Sequence, residues 1–142
     1  MDTDFSSTDS PRFEHADALS VIRRWVALVN EGRARDVAAL YSNEALLLPT
    51  FSPHALVTDA GRIGYFETLA TRQGMQVSMH EKTLRIRSLT DEIKVASGIY
   101  RFSFEIDEEP LTFEARFTCV MDMSLEQPIQ HHHSSQVPRT LG

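Results

Sequence analysis

The sequence predicts an α+β domain in which helices lie against one face of a curved antiparallel sheet. Three observations predict it. Apolar residues recur at helical spacing before Gly74, they alternate with polar residues after it, and short polar segments separate the alternating runs. A group of helices followed by hairpin-linked strands is typical of this class.

The size and composition of the chain indicate one folded unit. It has 142 residues, of which 42% are hydrophobic and 24% are charged, as in ordinary globular proteins. Residues 1–9 are polar and acidic and offer little to bury, so we expect a disordered tail there. We expect residues 10–142 to form a single domain.

Three helices are expected in the first half of the chain. The first begins at Ser10, whose hydroxyl suits a helix cap, and Pro11, which loses no hydrogen bond at a first helical position. It ends at Gly32, because glycine tolerates the left-handed cap conformation. The other two helices are expected over residues 35–41 and 58–72. The apolar stripe of the first helix comprises Ala18, Val21, Ile22, Trp25, Leu28 and Val29.

The strands follow from alternation. A brief apolar strand is expected at residues 45–49, between the second and third helices. Four longer strands are expected over residues 76–89, 93–106, 111–123 and 128–135. The segments TDE, DEEP and SLEQ between them are short enough for antiparallel hairpins.

The second and third long strands each have two unlike faces. One face carries Ala96, Gly98, Tyr100, Phe102, Phe104, Ile106, Phe113, Ala115, Phe117, Cys119, Met121 and Met123. The opposite face carries one arginine per strand, Arg101 and Arg116. Either the aromatic face packs under the helices and the arginines lie in water, or the arginines point into a cavity and the aromatic face meets a second subunit. Periodicity does not decide between the two.

Charge and cysteine content exclude several classes of protein. A net charge of −6 argues against a nucleic-acid-binding surface, which needs clustered Lys and Arg. The single cysteine, Cys119, rules out an intramolecular disulfide and favours a cytoplasmic location. The opening MDTDFSSTDS is unlike a secretory signal, and no apolar run approaches the length of about 18 residues that suggests a membrane span. We expect no nucleic-acid partner, no membrane and no cofactor.

Several segments together carry a resemblance to a known family. They are WVALVNEGRARDVAALYS at 25–42, LLLPTFSP at 46–53, YFETL at 65–69, GIYRFSF at 98–104, EARFT at 114–118 and IQHHHSSQVP at 129–138. With these the chain resembles the nuclear transport factor 2-like superfamily, and in particular the association (hub) domain of calcium/calmodulin-dependent protein kinase II and its free-standing bacterial relatives. The resemblance covers about residues 18–138.

The resemblance implies a cone, in which a strongly curved antiparallel sheet wraps a long N-terminal helix and two shorter ones, with a pocket at the wide end. It also implies a homodimer through the outer face of the sheet, and larger rings in the kinase hub. We therefore expect the aromatic face to form the dimer interface. The expected interface residues are Phe102, Phe104, Phe117, Cys119 and Met121. No kinase domain precedes this one in the chain, so the kinase-tethering role is not expected.

The resemblance further implies a site for a small organic acid, because arginines in the hub pocket receive small carboxylates. Arg101 and Arg116 match two of those arginines, and Ser134 replaces a third. Arg62 falls at a polar pocket position. Pairing around the DEEP turn places Arg101 opposite about Arg116, and two adjacent guanidinium groups repel unless an anion lies between them. The alternative is that Glu114 neutralises them internally. The predicted ligand-binding residues are Arg62, Arg101, Arg116, His132 and Ser134.

The three adjacent histidines, 131–133, have three possible interpretations. They are a remnant of a purification tag, a metal site formed by His131 and His133, or strand residues that alternate between pocket and exterior. We prefer the third, in which His132 shares the pocket side with Ser134 and the other two point outward. We expect no metal.

An enzyme is the alternative function. The superfamily includes isomerases, dehydratases and cyclases, which use a carboxylate or histidine base in an apolar pocket. His132 is the candidate base here, with Arg101 and Arg116 stabilising an enolate. A pure assembly domain is the third possibility. We rank a ligand-binding, self-associating domain first.

Overall fold

The computed structural model describes residues 16–138. The expected tail over residues 1–9 and the expected helix start at Ser10 and Pro11 lie outside the described residues. The helices are α1 (Ala16–Asn30), α2 (Ala34–Ala38) and α3 (Asp59–Ala70). The strands are β1 (Tyr41–Leu48), β2 (Gln76–Met79), β3 (Arg85–Ser88), β4 (Ile93–Ile106), β5 (Glu109–Asp122) and β6 (Ile129–Gln136), with a 3-10 helix at Glu81–Thr83.

Helix α1 fills the concave side of the sheet, as its apolar stripe predicts. Five of the six stripe residues are buried and Val21 is partly buried. The buried members are Ala18, Ile22, Trp25, Leu28 and Val29. The chain leaves the helix at Gly32, whose φ of 70° is in the left-handed region that glycine tolerates.

Helix α3 begins where the sequence indicates. The hydroxyl of Thr58 accepts a hydrogen bond from the backbone N–H of Gly61 at 3.0 Å, which is a conventional N-cap. Phe66 and Leu69 face the core. None of the helices between residues 16 and 138 has the length and apolar character that crossing a membrane requires.

The sheet confirms the α+β class, with one difference in direction. Its order is β1-β6-β5-β4-β2, and β3 also pairs with β4. Every pair is antiparallel except β1 with β6, which is parallel. The sheet is mixed because β1 enters from the helical half of the chain, where no hairpin dictates its direction. The strand expected over residues 76–89 is divided into β2 and β3 by the 3-10 helix.

The hairpin between β4 and β5 sets the register of the long strands. Ile106 pairs with Glu109, so the loop is the two residues Asp107 and Glu108, which have φ values of 52° and 67°. Positive φ at both positions is what a type I′ turn requires. The turn lies one residue earlier than the sequence suggested, and the pairing shifts by two.

Arg101 therefore lies opposite Glu114, and Arg116 lies opposite Ile99. The predicted pairing of Arg101 with Arg116 is wrong. The two arginines share a face but occupy different cross-strand rows.

The expected dimer interface is the core of the single chain. The five residues assigned to it are each at most 5% exposed and lie on the helix-facing side of the sheet. They are Phe102, Phe104, Phe117, Cys119 and Met121. The expectation that they meet a second subunit is wrong, because α1, α3 and the loop after β1 already cover them.

The opposite side of the sheet, here called the outer face, is centred on three adjacent cross-strand rows. The rows are Ile99, Arg116 and Ser135; Arg85, Ser97, Thr118 and His133; and Arg87, Val95, Val120 and His131. Leu46 and Leu48 of β1 continue the last two rows beside His131 and His133. The face mixes aliphatic residues with cationic and hydroxyl-bearing ones.

The turn offers a test of the register. Replacing Glu108 with glycine should raise the free energy of unfolding by about 0.5–1 kcal/mol, since a left-handed conformation costs a non-glycine residue about 1–2 kcal/mol. Urea denaturation measures the change. The control is Glu109→Gly at the first position of β5, which should lower stability instead. A loss of stability in Glu108→Gly would contradict the turn.

Candidate functional site

A chain of buried hydrogen bonds runs through the centre of the domain. The indole N–H of Trp25 lies 3.0 Å from the hydroxyl oxygen of Tyr41, and that hydroxyl lies 2.7 Å from Nδ1 of His132. On the other side of the ring, Nε2 of His132 lies 3.1 Å from the hydroxyl of Tyr100. All four side chains are buried. The chain ties α1 to strands β1, β6 and β4.

The tryptophan fixes the direction of this chain. An indole N–H only donates, so the oxygen of Tyr41 accepts from Trp25. Among residues 16–138, Nδ1 of His132 is the acceptor within reach of the hydroxyl hydrogen of Tyr41, so that hydrogen is directed to Nδ1. The imidazole is then neutral, with its proton on Nε2, from which it donates to Tyr100. Every hydrogen-bonding group of the imidazole is satisfied.

The same arrangement removes His132 from acid–base chemistry near neutral pH. Burial, aided by the neighbouring His131 and His133, lowers the pKa of His132 to about 3. Its only lone pair already accepts from Tyr41. A general base needs a lone pair that is free to take a substrate proton. The geometry therefore does not favour the alternative in which His132 acts as the base of an enzyme.

Within residues 16–138, the space between the sheet and the helices beside His132 is almost filled. Two cavities of about 10 Å³ flank His132. Each is near the lower limit for one water molecule. The ring of Phe51, in the loop after β1, packs edge-on against Phe102, Phe104 and Phe113, with centroids 5.1–5.4 Å apart. In this conformation a carboxylic acid does not fit in either cavity beside His132, because each has room for about one water molecule.

Arg62 is buried completely and has a structural partner set. Its guanidinium donates to the carbonyl oxygens of Ala45 at 2.7 Å, Ser42 at 3.0 Å and Asn43 at 3.2 Å. These carbonyls belong to the part of β1 where the register with β6 shifts. Arg62 supplies the donors that the irregular strand does not find in the sheet. The side chain is directed to β1 and away from Arg101 and Arg116.

The histidine alternation is as expected from the sequence. His132 and Ser134 are buried on the helix-facing side, whereas His133 is exposed and His131 is partly exposed. The Ser134 hydroxyl forms a short hydrogen bond with the Thr50 hydroxyl.

Arg101 is engaged on the outer side of the sheet. Its Nε donates to one carboxylate oxygen of Glu114, and Nε2 of His80 lies 2.8 Å from the other oxygen. The hydrogen bond from Arg101, with a smaller contribution from His80, lowers the pKa of Glu114. Internal neutralisation by Glu114, the alternative raised from the sequence, applies to Arg101.

The five predicted ligand-binding residues are thus divided among three environments. Arg62 is buried against β1, His132 and Ser134 lie in the filled interior, and Arg101 and Arg116 lie on the outer side. The alternation predicted for β4 and β5 is confirmed, but the aromatic face is the one that faces the helices. The structure does not bring the five together in one pocket.

Arg116 does lie in a groove, on the outer face. The groove has a volume of about 410 Å³. It is lined by Thr83, Arg85, Ser97, Gly98, Ile99, Arg116, Phe117, Thr118, His133 and Ser135. Among residues 16–138, neither Arg85 nor Arg116 forms an ion pair. One terminal nitrogen of Arg85 donates to the carbonyls of Lys82 and Leu84.

This outer groove combines positive charge with hydroxyl donors. Thr83, Ser97, Thr118 and Ser135 supply the hydroxyls, and His133 lies beside them. Sequence reasoning missed Arg85. Its position was visible as an alternating residue of the strand expected over residues 76–89, but the break in that strand hid its partner in β4.

The comparisons with known proteins agree with this fold. The family model described as calcium/calmodulin dependent protein kinase II association domain matches residues 14–138. Among solved structures, the chain is similar to a Xanthomonas campestris protein described as belonging to that association domain family. The two are 26% identical with a TM-score of 0.77, over 87% of this chain and 88% of the other.

Two more distant structures share the fold alone. One is an NTF2-like protein with a cystatin-like fold from Novosphingobium aromaticivorans, 7% identical, with a TM-score of 0.74 over 92% of this chain and 86% of that one. The other, from the same organism, is described as a scytalone dehydratase. It is 8% identical, with a TM-score of 0.78 over 93% and 89% of the two chains. Among curated proteins, none matches.

The buried histidine predicts a specific dependence of stability on pH. The pKa of His132 is about 3 when folded and near its ordinary 6.5 when unfolded, so the unfolded chain takes up a proton first as the pH falls. Stability should fall between about pH 6.5 and pH 3, by up to about 1.4 kcal/mol per pH unit from this residue. Urea denaturation of the wild type and His132→Gln at several pH values isolates the contribution of His132 to this pH dependence, since the other titrating groups are common to both. Parallel pH profiles would contradict a neutral, buried His132.

Proposed function

Since the chain belongs to the calcium/calmodulin dependent protein kinase II association domain family, we propose that it self-associates through the outer face of its sheet. We further propose that it binds a small anionic, carboxylate-bearing molecule in the outer groove. The observation that carries the second part is Arg116. This arginine stands without an ion pair among residues 16–138, in a groove lined by hydroxyl groups and a second such arginine.

Self-association is supported by the character of the outer face. None of α1, α2 and α3 covers it, since these helices pack on the opposite side. Its aliphatic side chains, Val95, Ile99, Val120 and Leu46, are only partly buried within one chain. Val95 and Val120 are direct cross-strand partners and make an apolar centre. A second copy would remove that surface from water, at about 25 cal/mol per Å² of apolar area.

Anion binding is supported by charge and by size. The protein has a net charge of −6, yet the groove contains two guanidinium groups and no carboxylate among its lining residues. Its volume of about 410 Å³ is in the range of small-molecule sites. Arginine binds carboxylates in a bidentate manner, and hydroxyl groups on neighbouring strands complete the donor set.

The strength of such a site follows from its exposure. Each charge-assisted hydrogen bond contributes about 1.5–3 kcal/mol where water is partly excluded, and less in the open. Two such bonds correspond to a dissociation constant in the millimolar range, and a more enclosed groove to a micromolar one.

Charge placed in the apolar centre should prevent self-association. Val120→Asp introduces a carboxylate between Val95 and His131, and burying it in an interface costs several kcal/mol. We expect the association constant to fall at least about tenfold in sedimentation experiments. The control is Leu125→Asp, because Leu125 is 47% exposed in the loop after β5 and lies outside the outer face. Equal association of both variants and the wild type would place the interface elsewhere.

Removal of the groove arginine should weaken binding of a small dicarboxylate. We expect Arg116→Gln to reduce malonate affinity about 10–100-fold, which corresponds to the loss of one charge-assisted hydrogen bond. Titration calorimetry or NMR shift mapping measures it. The matched control is Arg101→Gln, since Arg101 is neutralised by Glu114 and does not line the groove. Equal losses in the two variants would indicate a general effect of charge and would argue against the groove.

A further inference from the structure

The central rows of the outer face carry only one sign of charge. Arg85, Arg87 and Arg116 lie in the three rows, and no carboxylate does. The two rows that flank the central ones each contain one acidic residue, Glu114 and Asp122, and both are engaged. Glu114 accepts from Arg101 and contacts His80, and Asp122 accepts from the backbone and hydroxyl of Ser124.

A two-fold interface places a surface against a copy of itself. If the outer face is that surface, three arginines of one copy face three arginines of the other, with no carboxylate in the central rows to pair with them. Like charges brought together in an interface oppose association, and exclusion of water increases the repulsion. The apolar centre of the face and its charges therefore act in opposite directions.

We infer that the anion in the groove is the counter-ion that permits self-association, so that assembly of this protein depends on its ligand. This inference rests on the proposed function and adds a coupling between its two parts. Most of the residues that line the groove belong to the outer-face rows that the second copy would cover. A dianion such as a dicarboxylate there offsets the charges of Arg85 and Arg116, and the second copy then shields it from water.

The coupling is reciprocal. If a bound anion tightens association by some factor, association tightens anion binding by the same factor. A neutral molecule of the same shape would occupy the groove without removing the repulsion and would not promote assembly.

The coupling predicts that one substitution has opposite effects on ligand binding and on self-association. Arg116→Gln removes a groove donor and one of the three repelling charges at once. The variant should bind malonate more weakly than the wild type, yet associate more tightly than the wild type when no multivalent anion is present. The Arg116 side chain is exposed, so the replacement leaves the core intact.

The experiment measures association by sedimentation velocity and malonate binding by calorimetry, on the full chain at one fixed ionic strength set with sodium chloride. Fixed ionic strength separates specific binding from general screening. We expect malonate to tighten wild-type association about 10-fold, within the usual range of coupling between sites. Malonamide, its neutral analogue, should have no effect. Arg116→Gln in chloride alone should associate about as tightly as the wild type with malonate.

The possible failures are distinguishable. If malonate binds to the wild type but leaves the association constant unchanged, the coupling is wrong and the proposed binding stands. If malonate does not bind, or if the chain does not associate under any condition, the corresponding part of the proposed function fails and the coupling falls with it. If malonamide promotes association as well as malonate does, charge neutralisation is not the cause and the inference is overturned.

Discussion

The hydrogen bond from Trp25 to Tyr41 is the interaction on which the interior of this domain depends. The indole can only donate to Tyr41, the hydroxyl hydrogen of Tyr41 has Nδ1 of His132 as its acceptor, and the imidazole then donates from Nε2 to Tyr100. A neutral imidazole results, fully engaged and inaccessible to a substrate. The space between the sheet and the helices is here occupied by the protein's own aromatic and polar side chains, and the groove that contains Arg116 lies on the outer side of the sheet.

Arg62 has a comparable role at the edge of the sheet. Strand β1 runs parallel to β6 and is irregular between Tyr41 and Leu46, so several of its carbonyls lack ladder partners. A guanidinium carries five donors in a rigid fork, and Arg62 from α3 places three of its hydrogen bonds on these oxygens. Within residues 16–138 no carboxylate pairs with this buried cation, but its donors are largely satisfied by backbone carbonyls. This contact joins the helical and sheet halves of the chain.

Most of the fold could be predicted from the sequence, because local rules govern it. The change of period at Gly74, the stripe around Trp25 and the cap at Thr58 each depend on residues close together in the chain. The site could not be predicted in the same way. Alternation in β4 groups Phe102 with Tyr100 whichever side faces inward, and only the tertiary packing of α1 decides the side. The partner of Arg101 depended on a turn placed one residue earlier, which moved Glu114 opposite it.

Phe51 is a loop residue whose side chain covers part of the domain interior. It lies in the loop after β1, and its ring packs edge-on against Phe102, Phe104 and Phe113 of the two long strands. A smaller side chain at this one loop position would leave space beside those three rings, and loops on rigid frameworks are where function usually changes. The size of this one ring therefore bears on how much room the interior has, independently of the residues that form the outer face.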